Sequence, residues 1–169
     1  MGLGKTRKIN ADYFKFIDTP IKAYFLGFIF ADGWICANTE KRIFEFGMEL
    51  QSQDRYILEK LNDEIGGLNI IKHFDKSETF IKDHVAHSGE SDCLRVYSRP
   101  LVENLINAGI ETNKTRKDIY PIVDEHLFFD WLRGYIDGDG CYYTNKNINT
   151  YMHITCASLS PLTYIKDKL

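Results

Sequence analysis

An α+β fold built from two unequal copies of one unit is what the sequence predicts, and three observations carry it. Two nine-residue runs share one pattern, Phe25-Leu26-Gly27-Phe28-Ile29-Phe30-Ala31-Asp32-Gly33 and Leu132-Arg133-Gly134-Tyr135-Ile136-Asp137-Gly138-Asp139-Gly140: an apolar helical segment ending in a small residue, Asp and Gly. Each run is followed by residues that alternate apolar and polar at strand period. An amphipathic helical stretch then closes each alternation, Ser52 to Leu61 in the first copy and Ser160 to Leu169 in the second.

Taken in order, each nine-residue run reads as the last turns of a helix, with Asp-Gly as a terminator favouring a left-handed cap. Small residues four apart, Gly27 with Ala31 and Gly134 with Gly138, give each helix a flat stripe on which another backbone can lie, at about 1 kcal/mol of helix propensity per Gly. Trp34 to Asn38 reads as a short strand, Asn38 to Lys41 as a turn, and Arg42 to Gln51 as a longer strand. Phe44, Phe46, Met48 and Leu50 form its covered face, and Ile43, Glu45, Gly47, Glu49 and Gln51 the other. Ser52 is the expected N-cap of a helix carrying Tyr56, Ile57, Leu61 and Ile65, closed by Gly66-Gly67. Leu68–Phe74, Thr79–Val85 and Asp92–Ser98 read as strands, with His84 and His87 in or around a loop and not as metal ligands. Pro100 is expected at the first helical position, with Leu101, Leu105 and Ile106 buried.

The second copy predicts a strand from Tyr142-Tyr143, a turn over Asn145–Asn149, and a strand from Tyr151 to Ala157. In it Met152, Ile154 and Cys156 are expected inward, and Tyr151, His153 and Thr155 outward. By comparison with the first copy, roughly 50 residues of sheet and helix are missing from the second. The expected divisions are a basic N-terminal tail over 1–11, the first copy over 12–120 and a truncated second copy over 121–169. An incomplete second half leaves an edge and an apolar face that invite dimerisation of an otherwise monomeric chain.

Composition bounds the class. At 169 residues, 44% apolar and 14% aromatic, the chain can bury a core. No apolar run approaches the roughly 18 residues that span a bilayer, and the polar start lacks a signal peptide's apolar stretch, so a cytoplasmic protein is expected. Cys36, Cys93, Cys141 and Cys156 lack the spacing of a zinc site or a disulfide framework. Net charge is −3. A nucleic-acid partner would therefore depend on local clusters: Lys5, Arg7 and Lys8; Lys114, Arg116 and Lys117; Lys41 and Arg42; Lys72 and His73; Arg95 and Arg99.

If the two small-residue stripes face each other, Asp32 and Asp139 meet at one end. Carboxylates at helix C-termini oppose the macrodipole, and two of them about 5 Å apart repel by roughly 3 kcal/mol at an effective dielectric near 20. A hard divalent cation with oxygen ligands, Mg²⁺ above all, suits such a place, and shared-metal carboxylate sites commonly serve phosphodiester hydrolysis.

These two motifs resemble those of the LAGLIDADG homing endonucleases, particularly single-chain members with two copies. The likeness extends to the lead-in Ile17-Asp18-Thr19-Pro20-Ile21-Lys22-Ala23-Tyr24, similar to phage and intein-type members, and to the link from Ala108-Gly109-Ile110 through Asn113-Lys114-Thr115 to Pro121. The resemblance implies two αββαββα halves with a saddle-shaped antiparallel sheet, their interface made by the motif helices. It implies that Asp32 and Asp139 are catalytic and bind Mg²⁺ or Mn²⁺, assisted by the carbonyls of Ala31 and Gly138. Phe30 and Asp137 differ at the sixth motif position, which the family tolerates.

The expected partner is double-stranded DNA with a long recognition site. Lys41, Arg42, Gln51, Arg95, Arg99, Lys114, Arg116, Lys117 and His153 are the expected contacts, and Arg99 the basic residue near the scissile phosphate. Glu45 and Glu49 sit awkwardly on a DNA-facing strand, although an acidic acceptor can read cytosine N4. The expected activity is site-specific, metal-dependent DNA cleavage. The alternatives are a catalytically impaired remnant and a non-cleaving nucleic-acid binder of maturase-like or regulatory kind.

Overall fold

The computed structural model describes residues 9–81, 84–112, 120–146 and 148–169. Its first helix, α1 (Pro20–Asp32), starts at Pro20, whose fixed φ suits the first helical position, and is apolar almost all round. Such a helix must be enclosed on most sides, and Ala23 through Phe30 are buried apart from Tyr24.

The chain then forms β1 (Gly33–Asn38) and β2 (Ile43–Gln51), an antiparallel pair, followed by a 3-10 turn over Ser52–Asp54 and helix α2 (Arg55–Glu64). Strands β3 (Ile71–Phe74), β4 (Ser77–Ile81), β5 (His84–Ser88) and β6 (Ser91–Tyr97) lead to α3 (Arg99–Asn107). Four strands make one antiparallel sheet in the order β1-β2-β6-β3, and β4-β5 is a separate hairpin inserted between β3 and β6. The second copy runs α4 (Phe128–Asp139), β7 (Gly140–Thr144), β8 (Thr150–Ile154) and α5 (Leu159–Lys168), with β7-β8 as an isolated antiparallel pair. No described helix is long and apolar enough to cross a membrane.

Strand alternation decides the core. Ile35, Phe46 and Val96 lie in register across three strands, as do Met48 and Leu94, and all five are buried beside Leu58 and Leu61 of α2 and Leu101, Val102 and Leu105 of α3. The opposite face carries Trp34, Glu45, Glu49, Arg95 and Tyr97. Gly47 lies there beneath the Trp34 indole, which would collide with any Cβ at that position.

Several expectations need correction. Asp54, not Ser52, occupies the N-cap of α2, without a side-chain capping bond, because the 3-10 turn intervenes. Tyr56 is 53% exposed and Leu58 takes the buried place. Thr79–Val85 is not one strand: β4 ends at Ile81 and β5 begins at His84, so His84 and His87 stand in a strand and not in a loop. Pro100 is the second residue of α3, and Ile106 is exposed. In the second copy β8 stops at Ile154, and Met152 is exposed because it lies beyond Ile154, where that face of the hairpin packs against the core.

Candidate functional site

The site grows from the crossing of α1 and α4. A Cβ at Gly27 would strike the Trp131 carbonyl oxygen and lie 2.8 Å from the Tyr135 nitrogen; one at Gly134 would strike the Tyr24 carbonyl oxygen and lie 3.0 Å from the Phe28 nitrogen. Tyr24 and Phe28 hold the places in the first motif that Trp131 and Tyr135 hold in the second. The two glycines therefore make reciprocal contacts, as expected of a pseudo-two-fold axis between the helices. Further along, a Cβ on Gly138 would collide with the Cβ of Ala31 and sit 2.9 Å from Asp32 Oδ2. The Asp32 carboxylate thus lies against the residue that precedes Asp139.

Both helices end alike, and not as expected. Gly33 has φ −80° and Gly140 φ −81°, extended backbone in place of the left-handed cap. Each glycine enters its strand directly, and a Cβ there would meet the carbonyl of Ile29 or Ile136 and lie 2.7 Å from that residue's Cγ2. Glycine is needed because the chain turns hard against its own last helical turn.

An open cleft of about 600 Å³ spreads from this helix end, with Asp32, Gly138 and Gly140 at one side and Glu49, Gln51 and Asp54 at the other. Asp32 is half-buried and Asp139 exposed. Asp137 also lines the cleft and accepts a hydrogen bond from the Tyr24 hydroxyl at 3.0 Å. Burial, then that bond to a carboxylate, pushes the Tyr24 phenol well above its ordinary pKa. The Arg133 guanidinium lies 5.1 Å over the Tyr24 ring. The first motif has Phe30 where the second has Asp137, and Phe30 is buried edge-on against Trp131. The site is therefore two-fold in backbone and asymmetric in side chains.

A polar network braces the far wall. Asp92, 1% exposed, accepts from Arg55 Nη1 at 2.6 Å and pairs with His73 Nδ1 at 3.3 Å. Burial pulls the Asp92 pKa up, and hydrogen bonds from Ser52, Arg55 and His73 outweigh it, leaving the carboxyl below its ordinary value. The network holds the turn that presents Gln53 and Asp54 to the cleft. Sequence reasoning missed it, along with Tyr24; an Asp at an apolar strand position next to a buried Cys was the available signal.

The other expected contacts divide. Gln51 lines the cleft, and Lys41 and Arg42 are exposed in the β1–β2 turn, Arg42 with φ 52°. Arg95 lies on the uncovered sheet face, 5.6 Å over the Trp34 ring and 3.5 Å from Glu45. Glu49 accepts from the Ser91 hydroxyl at 2.6 Å. His153 stands on β8 beside the Tyr143 ring. Arg99 is not at a strand end: it begins α3, pairs with Glu103 at 2.8 Å and lies over Phe44, on the helix-covered side of the sheet. Lys5, Arg7, Lys8, Lys114, Arg116 and Lys117 lie outside the described residues. Among the described residues no group of three or more His, Cys, Asp or Glu is arranged to hold a metal ion.

No protein-family model and no curated protein matches the chain. Among solved structures it is similar to the homing endonuclease I-WcaI bound to its DNA recognition sequence, with 17% identity over 86% of this chain and 63% of that one, TM-score 0.47. It is also similar to a point variant of I-SmaMI, with 17% identity over 75% and 60%, TM-score 0.46. The LAGLIDADG meganuclease I-AabMI, bound to uncleaved DNA, gives 14% identity over 79% and 65%, TM-score 0.43. The chain thus spans about 60 to 65% of the length of these proteins. I-SmaMI is a LAGLIDADG homing endonuclease and I-AabMI a LAGLIDADG meganuclease, and it is solved proteins of that family that this chain resembles.

Proposed function

We propose that the protein is a site-specific endonuclease of double-stranded DNA that uses a divalent cation held by Asp32 and Asp139. The observation that carries this reading is the reciprocal glycine packing, which sets the Asp32 carboxylate against Gly138 at the shared end of the two motif helices. The groups we assign to the ion are oxygens alone: the carboxylates of Asp32 and Asp139 and the carbonyls of Ala31 and Gly138. Such a set suits Mg²⁺, which keeps several waters and takes one or two protein carboxylates, so it needs no group of three ligating side chains, and none is arranged so among the described residues. When bound, the ion would supply Lewis-acid polarisation of a phosphoryl oxygen and a lowered pKa for an attacking water.

The remaining chemistry falls to the protein. Trp34, Arg95, Lys41 and Arg42 offer a cationic and aromatic edge to phosphates along the uncovered sheet face. Glu45 and Glu49 do not stand as bare charges there, because Arg95 and the Ser91 hydroxyl engage them. Tyr24 fixes the direction of the Asp137 carboxylate by donating to it.

The test is Mg²⁺-dependent cleavage of a duplex library that includes the DNA flanking the gene. The parent is expected to cut, and Asp32→Asn and Asp139→Asn each to lose about 100-fold or more of the rate. Asp32→Asn cutting as well as the parent would contradict the reading, whereas tight, metal-independent binding without nicking would favour a non-cleaving binder.

A further inference from the structure

We propose that the β7–β8 hairpin is a stacking platform for the unpaired bases of single-stranded nucleic acid, a role that rests on the nucleic-acid reading above and adds a second mode of contact to it. Tyr143 and Tyr151 pair directly across the two strands with ring centroids 5.1 Å apart and planes 20° apart, and the His153 ring, tilted by 32°, lies 5.1 Å from Tyr143. Strand alternation puts these three rings on the face opposite Ile154, which packs against the core. They are nonetheless open to solvent, Tyr143 by 48% and Tyr151 by 41%.

Charge identifies the occupant. From Gly140 to Lys166 the chain carries no Asp or Glu, while Lys146 supplies a cation at the hairpin tip and Lys166 another on α5. This contrasts with a chain of net charge −3 and with the corresponding face of the first copy, where Glu45 and Glu49 stand. An acid-free aromatic finger favours a polyanion with flat apolar groups. Bases within a duplex are already stacked on both sides and offer only their edges, whereas unpaired bases offer π faces that extend a row of rings. Asn145 braces the tip, its Oδ1 accepting from the Asn149 backbone N–H at 3.0 Å and its Nδ2 donating to the Tyr151 hydroxyl at 3.4 Å.

Fluorescence anisotropy of the full chain in EDTA, with a labelled oligothymidylate about 20 nucleotides long and a mixed-sequence duplex of the same length, tests this. Tyr143→Ala and Tyr151→Ala are each expected to weaken oligothymidylate binding about ten-fold and duplex binding by less than about two-fold, with Tyr143→Phe close to the parent on both. Equal losses on both probes, or no loss with Tyr143→Ala, would overturn the platform. Binding of the duplex alone by the parent would overturn it too while leaving the nucleic-acid reading intact, and binding of neither probe would overturn the platform, with the cleavage assay above deciding the nuclease reading separately. Because the rings are exposed, the variants should melt with the parent, and His153→Ala provides a second disruption of the same stack.

Discussion

Strands β2 and β8 hold equivalent places in the two copies and alternate apolar and polar residues in the same way, yet their fates differ. Phe46 and Met48 of β2 are fully enclosed, whereas Met152 of β8 is 45% exposed. Helices α1, α2 and α3 and two partner strands, β1 and β6, surround the first; a single partner strand flanks the second. Alternation therefore specifies a side chain's face, and what lies over that face decides whether it stabilises anything. The motif helices are shared by both copies, and they are where the two halves are most alike.

The sharpest way to break this contrast is at those helices. Gly134→Leu would drive a side chain into the Tyr24 carbonyl, where backbone cannot step aside, and is expected to cost about 3 kcal/mol or more. Urea unfolding would show it, and a midpoint equal to the parent's would mean that the two helices do not meet through their glycines. Next in size, Met48→Ala is expected to cost about 2–5 kcal/mol by opening a cavity, and Met152→Ala less than about 0.5 kcal/mol. Similar losses for both in the same denaturation series would show that the hairpin is covered in solution.

The smallest effect concerns acid. A carboxyl whose folded pKa is depressed contributes stability above its ordinary unfolded pKa and loses that contribution as pH falls through the folded value. Asp92 is such a group. The parent's melting temperature should therefore fall below about pH 4, and that limb should be shallower in Asp92→Asn. Identical limbs would show that Asp92 is not the linked group.

The helices and the alternating strands were legible because burial imposes its period directly on residue type, as with Phe44 to Leu50. The glycine stripe was legible for the same reason: Gly27 and Gly134 are small where a backbone must pass. Local cap and loop details were not. Gly33 and Gly140 signalled a stop to the helix, but an extended departure and a left-handed cap use the same residue, and only the clash with Ile29 or Ile136 separates them. The division into β4 and β5 escaped because Thr79–Val85 contains no Gly, Asn or Pro to break the run. Arg99 was misplaced because a strand end and a helix start are adjacent in sequence and face opposite sides of the sheet. The Asp137–Tyr24 bond spans the two copies, a distance along the chain at which periodicity carries no information.

Titration of Mn²⁺ into the full chain, followed by electron paramagnetic resonance, tests the convergence of Asp32 and Asp139 without any knowledge of the DNA target. The expected result is that Asp32→Asn and Asp139→Asn each weaken binding by about ten-fold or more, and that the double variant loses little beyond either single one, because both carboxylates serve one ion environment. Unchanged Mn²⁺ affinity in both single variants would contradict it.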